Sequence, residues 1–66
     1  MSVAKIIEIS SDSKISFQDA IESGLKRAEK TVKHVKGAWI SEQKVTVDKG
    51  LIASYRVIMR VSFVID

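Results

Sequence analysis

The last third of the chain alternates strictly between two kinds of side chain, and this alternation limits the folds available to it. One set is apolar or aromatic: Tyr55, Val57, Met59, Val61, Phe63 and Ile65. The intervening set is mixed: Ser54, Arg56, Ile58, Arg60, Ser62 and Val64. Successive side chains of a strand point to opposite faces of a sheet, so the pattern predicts one strand over residues 51–65 whose first set faces the core. At roughly 3.3 Å per residue, this strand would be about 50 Å long.

Residues 16–35 carry the pattern of an amphipathic helix. Ser16 lies three residues before Asp19, an acidic variant of the capping box that marks a helix start. Apolar residues then recur at helical spacing: Phe17, Ala20, Ile21, Gly24, Leu25, Ala28, Val32 and Val35. We therefore predict a helix through Val35 with Gly37 as its C-terminal stop. His34 falls on the polar face of this helix, which predicts a solvated surface residue.

Two further strands complete the predicted fold. Residues 3–9 are rich in β-branched side chains and precede a polar cluster at 10–13, which predicts a strand followed by a loop. A second strand is predicted over 38–47, with a turn at 48–50. The crossover makes strands one and two parallel, and the hairpin makes strand three antiparallel to strand two. The predicted fold is a single α+β domain over residues 1–66, β-α-β-β, with one helix on an antiparallel or mixed sheet of order 1-3-2.

Size and composition limit how such a chain is stabilised. It has 66 residues, 45% of them hydrophobic, and no cysteine. These numbers exclude a disulfide scaffold, a thiolate metal site and a two-domain protein. A globule of this size buries only roughly 60% of its unfolded surface and is marginal alone. Because one helix covers one face of a sheet, the mixed face of strand three suggests a subunit interface, and we expect a homo-oligomer.

The net charge, the lack of long apolar runs and the first five residues predict the protein's location and its classes of partner. The net charge is +3, with both signs interspersed. This weakly favours anionic ligands, while the acids among the lysines argue against nucleic acid. No apolar run approaches the roughly 18 residues of a membrane helix, and the start, residues 1–5, lacks signal-peptide features. We expect a cytoplasmic protein that binds neither membranes nor nucleic acid. No serine is visibly placed with a base and an acid, so we expect no enzyme.

The order, spacing and length of these segments resemble the dodecins, a small flavin-binding family that assembles as hollow dodecamers. The resemblance covers nearly all 66 residues. It rests on three stretches: residues 3–9, residues 17–32, where Arg27-Ala28 is followed by Thr31, and residues 55–63. It implies a homododecamer that stores a small molecule rather than an enzyme, with FMN or riboflavin as its ligand.

The resemblance also implies where the ligand would bind. Flavin-binding dodecins have a stacking tryptophan where the chain enters strand two, which corresponds to Gly37. They have a flavin-bonded glutamine in strand three, which corresponds to Arg56. Trp39 is two residues further, about 6.6 Å along the same strand face. The candidate ligand residues are therefore Trp39, Arg56 and Gly37.

Two interpretations of these residues stay open at the level of sequence. Glu42-Gln43 and Tyr55-Arg56 resemble a divergent branch that includes a calcium dodecin, so calcium is the alternative to flavin. Oxygen ligands for calcium would come from Glu8, Glu42, Asp48 and Asp66, meeting across symmetry axes. Trp39 either stacks on a ligand or packs at an interface. Arg56 and Arg60 either bind an anion or pair with Glu42 or another acid across a subunit boundary.

Overall fold

The computed structural model describes residues 3–65, and the predicted order β-α-β-β is confirmed. The elements are β1 (Ala4–Ser13), α1 (Phe17–Ala28), β2 (Val35–Asp48) and β3 (Leu51–Val64). The sheet order is β1-β3-β2, and both outer strands pair antiparallel with β3. The outer strands therefore run parallel to each other without being neighbours. Within residues 3–65, no helix is long and apolar enough to cross a bilayer.

The core lies between α1 and one face of β3, as the alternation predicts. Val57, Met59 and Val61 have no exposed surface, and Phe63 retains 9%. They pack with Ala20, and partly buried apolar residues surround this cluster: Ile7, Ile9, Phe17, Ile21, Leu25, Val35 and Ala38. The prediction is wrong for the last residue of this face, Ile65. Ile65 follows the end of β3 and is 55% exposed.

The first strand is longer than predicted, and the loop expected at residues 10–13 is strand. Its pairing with β3 runs without interruption from Ala4 opposite Val64 to Ser13 opposite Tyr55. Polar residues favour loops only weakly, and the backbone hydrogen bonds of a ladder do not depend on side-chain polarity. The alternation also continues, since Ser11 and Ser13 lie on the helix side.

A buried serine joins β1 to the helix. The Ser13 hydroxyl donates to Asp19 Oδ2 at 2.7 Å and accepts from the backbone N–H of Ile15 at 2.9 Å. The predicted helix cap is confirmed: Ser16 is the N-cap, and its hydroxyl accepts from the Asp19 N–H at 2.9 Å. These bonds satisfy backbone donors that a helix start leaves free.

The helix ends at Ala28, seven residues earlier than predicted, and Gly37 is not its stop. The N–H groups of Thr31 and Val32 both bind the Ala28 carbonyl and close tight turns. His34 then adopts a left-handed backbone with φ of 62° and lies exposed in the connection, not on a helix face. Val35 already pairs with Phe63 in the sheet. Pairing with β3 therefore places Val35 in β2, although its spacing from the preceding apolar residues also fits a helix.

The hairpin of β2 and β3 extends past the end of β1. Beyond the Ser13–Tyr55 pair, residues 46–54 form a two-stranded ribbon, here called the hairpin arm. A two-residue hairpin loop whose twist matches that of its strands often requires positive φ at both residues. Lys49 and Gly50 both have positive φ, so the predicted turn is confirmed. Val47, Leu51 and Ile52 on the arm are 62%, 73% and 54% exposed.

Candidate functional site

The candidate ligand residues lie on the sheet face turned away from α1, here called the open face. Residues opposite each other on paired strands share a face. In one cross-strand row Arg56 lies between Asp12 on β1 and Lys44 on β2. In a second row Arg60 lies between Glu8 and Trp39. Between them, Ile58 lies opposite Ser10 and Glu42. The open face is thus a charged surface with one indole at its edge.

Arg56 forms an ion pair with its cross-strand neighbour. Its Nε donates to Asp12 Oδ1 at 2.7 Å and its Nη2 donates to Oδ2 at 3.2 Å. Within residues 3–65, this is the one ion pair. The hydrogen bond from Arg56 lowers the pKa of the Asp12 carboxyl, and Asp12 in turn raises the pKa of the guanidinium. Both groups are therefore charged at neutral pH. The sequence predicts that Arg56, if it does not bind an anion, pairs with Glu42 or another acid across a subunit boundary. In the structure its partner is instead Asp12 of the same chain.

Trp39 offers an aromatic surface on the open face. Its side chain is 53% exposed, and the Arg60 guanidinium carbon lies 5.5 Å from the ring centroid. This distance is within the range of a cation–π contact. One ring face is thus covered by a planar cation, and a planar ligand would stack on the indole or on the guanidinium.

Gly37 lies opposite Ser62, on the same face as Trp39 and one row beyond Arg60, which places it three rows from Arg56. The Ser62 hydroxyl donates to the Gly37 carbonyl at 3.3 Å. A Cβ added at Gly37 would meet the Ser62 Oγ at 3.7 Å, an ordinary contact distance. Gly37, which the resemblance matches to the family's stacking residue, therefore accepts a Cβ without a clash.

A shallow concavity of about 370 Å³ surrounds Arg56 on the open face. It is lined by Ser10, Asp12, Glu42, Lys44, Arg56 and Ile58. The polar groups supply hydrogen-bond partners, and Ile58 supplies an apolar floor. The exposed ring of Trp39 lies outside this lining, opposite Arg60 and four residues along β3 from Arg56.

The carboxylates suggested as calcium ligands are not brought together in one chain. Glu8 and Glu42 share the open face but lie on the two outer strands, in different rows, and Asp48 lies at the tip of the hairpin arm. Asp66 lies outside the described residues. Among residues 3–65 there is no cluster of three or more histidine, aspartate or glutamate side chains able to hold a metal ion.

Asp12 is a site residue that is absent from the predicted candidates, because residues 10–13 are predicted to form a loop. In the structure Asp12 alternates with Glu8 and Ser10 along β1. Extending that period of two from residue 8 to residue 12 would have placed Asp12 on the same face as Glu8. The signal was therefore present in the sequence and was obscured by the polar composition of residues 10–13.

Comparisons with known proteins agree with this architecture. A family model described as Dodecin matches residues 3–66. The dodecin from Streptomyces davaonensis is 26% identical, with 98% of this chain and 96% of that chain covered and a TM-score of 0.93. A dodecin variant from T. thermophilus is 27% identical over 100% and 98% of the two chains, also with a TM-score of 0.93. No curated protein matches the chain.

A further structural match concerns the second ligand class. The calcium dodecin from Mycobacterium tuberculosis, described with a novel calcium-binding site, is 35% identical to this chain. The match covers 98% of this chain and 93% of that one, with a TM-score of 0.83.

Proposed function

Because the chain belongs to the dodecin family, we propose that it is a non-enzymatic binding and storage protein. It assembles into a hollow homododecamer and sequesters flavin or a related anionic planar ligand. The observation that carries this proposal is the half-exposed indole of Trp39 on the open face, two residues from the family's stacking position and on the same face. The cytoplasmic location suggested by the sequence stays a prediction.

In the proposed site, the chain's own residues bind and orient one side of the ligand. Trp39 stacks on the ring system, and Arg60 extends the planar surface. Donors around Arg56 meet the polar edge of the ligand. A bound flavin would supply a light-absorbing ring whose excited state is quenched by close stacking. Twelve copies with a charge of +3 each would give about +36, which attracts anions at long range.

A flavin titration tests this proposal. We expect riboflavin or FMN fluorescence to be quenched on addition of the protein, and Trp39→Ala to weaken binding about tenfold, since stacking on one aromatic ring contributes roughly 1–3 kcal/mol. Trp39→Phe is the matched control because it keeps a ring at this position. Full flavin fluorescence at saturating protein would contradict flavin binding.

The proposed assembly is supported by apolar surface that one chain leaves open. The hairpin arm is a two-stranded ribbon, and isolated ribbons are marginal in water. Its side chains Val47, Leu51 and Ile52 are more than half exposed. An apolar groove of about 400 Å³ also lies between α1 and β1, near Ile7, Ile9 and Ala28. Contact with further copies would bury these surfaces and stabilise the small core.

Leu51→Asp is expected to break this assembly. Leu51 is 73% exposed in the single chain, so the change affects the interface more than the fold. Light scattering should give a mass near twelve subunits for the wild type and a smaller particle for the variant. Lys49→Asp is the matched control, since it adds negative charge at the same tip without removing apolar surface. A wild-type mass near one subunit, or equal losses in both variants, would contradict the proposed contact.

A second candidate function is an ion-binding shell that takes up calcium and not flavin. It is favoured by the 35% identity to a calcium dodecin and by the carboxylates of Glu8 and Glu42 on the open face. Copies related by symmetry would need to bring these carboxylates together, because calcium prefers six to eight oxygen ligands. Calorimetry that detects no calcium binding, with a melting temperature unaffected by chelator, would exclude it.

A further inference from the structure

The concavity on the open face contains a guanidinium that already uses two of its five N–H donors in an ion pair. Asp12 accepts from both Nε and Nη2 of Arg56, in the two-bonded geometry that arginine otherwise offers to a phosphate or carboxylate. The two residues are direct neighbours in the register of β1 and β3, so the strand pairing itself holds them together. The pair lies within the chain and needs no second copy.

The charges around the pair oppose an incoming anion at short range. Asp12 and Glu42 line the concavity together with Arg56 and Lys44, which gives two acids and two bases. A phosphate that approaches Arg56 must displace the Asp12 carboxylate or lie beside it. The four charged side chains of the concavity sum to zero, so the concavity itself offers an anion no net positive charge. The lowered pKa of Asp12 agrees with a carboxylate that stays charged in this position.

We propose that Asp12 is a specificity-determining residue: it neutralises Arg56, so that the concavity accepts the neutral polar edge of a planar ligand and gains little from a phosphate. This inference rests on the proposed function for the identity of the planar ligand. Riboflavin and FMN share one ring system and differ by a phosphate, so they report the discrimination directly. The wild type binds the two with similar affinity, and a chain without the Asp12 charge prefers FMN.

A first experiment measures the anion site without any flavin. Inorganic pyrophosphate is titrated by calorimetry into the wild type, Asp12→Asn, Glu8→Gln and the double variant Asp12→Asn with Arg56→Gln. We expect Asp12→Asn to bind about fivefold more tightly than the wild type, in line with the modest worth of exposed charge pairs. Glu8→Gln removes the same charge from the same strand and face, but Glu8 has no ion pair within residues 3–65. In the double variant, the increase in pyrophosphate affinity should disappear because Arg56 is absent.

A second experiment measures the ratio of riboflavin to FMN dissociation constants in the same variants by fluorescence titration. The ratio should rise about fivefold in Asp12→Asn and stay unchanged in Glu8→Gln, again by the size of an exposed pair. An equal gain in Glu8→Gln would show a general charge effect and overturn the role of Asp12, as would no pyrophosphate gain in Asp12→Asn. If no variant binds either flavin, the proposed function fails, while the pyrophosphate titration still decides the role of Asp12.

Discussion

A chain that carries Gly37→Trp and Arg56→Gln together is expected to bind riboflavin about 100-fold more tightly than the wild type. The added ring supplies a stacking contact of roughly 1–3 kcal/mol, and the amide adds a hydrogen bond of roughly 0.5–1.5 kcal/mol. A side chain can start at this exposed position without a clash, since a Cβ at Gly37 meets Ser62 Oγ at 3.7 Å and nothing closer. Arg56→Gln also frees the concavity from its ion pair.

Fluorescence titration of riboflavin measures this effect, and a leucine in place of the tryptophan provides the control. The variant Gly37→Leu with Arg56→Gln adds apolar bulk at the same position but no planar ring. Tighter riboflavin binding by the tryptophan variant alone indicates stacking. If both double variants bind riboflavin more tightly to the same extent, the effect is general burial of apolar surface. If riboflavin affinity increases in neither variant, the open face of this chain does not form a flavin site of the dodecin kind.

The sequence predicts β3 closely because its alternation reports the two faces of a sheet directly. The same period places Val57, Met59 and Val61 in the core, where the structure has them. The end of α1 was not predictable in this way. Val35 fits helical spacing from Val32 and also begins a strand, and its pairing with Phe63 decides between the two. Local spacing cannot weigh a contact made 28 residues away.

The candidate site was less predictable, because irregular pairing changes which side chains share a face. Trp39 and Glu42 are three residues apart, so strict alternation would put them on opposite faces. The register shift between Ile40 and Glu42 places Trp39 opposite Arg60 and Glu42 opposite Ile58, and both face away from the helix. A bulge of this kind adds one residue to one strand and leaves no distinct mark in the sequence. The shared face of Trp39 and Glu42 therefore emerges only in three dimensions.

Met59→Ala is expected to reduce the free energy of unfolding by about 3 kcal/mol, as is typical for truncation of a fully buried methionine. Met59 is completely buried at the centre of the core. The fit around it is close: a Cβ added at Gly24 would lie 2.7 Å from the Met59 Cε and 2.9 Å from the Ser11 Cβ. Removal of the side chain leaves a cavity between helix and sheet that this packing cannot easily fill.

The expected loss is large relative to the chain's reserve, since a core of this size rarely supplies more than about 3–5 kcal/mol. Urea denaturation followed by circular dichroism measures it, and Met59→Leu is the control, expected to cost less than about 1.5 kcal/mol because volume is kept. Both variants are compared at several protein concentrations. If subunit contacts stabilise the fold as proposed, the Met59→Ala transition moves to higher urea as the concentration rises. A concentration-independent midpoint for a variant that still folds would mean that the single chain suffices, and the proposed need for assembly would be wrong.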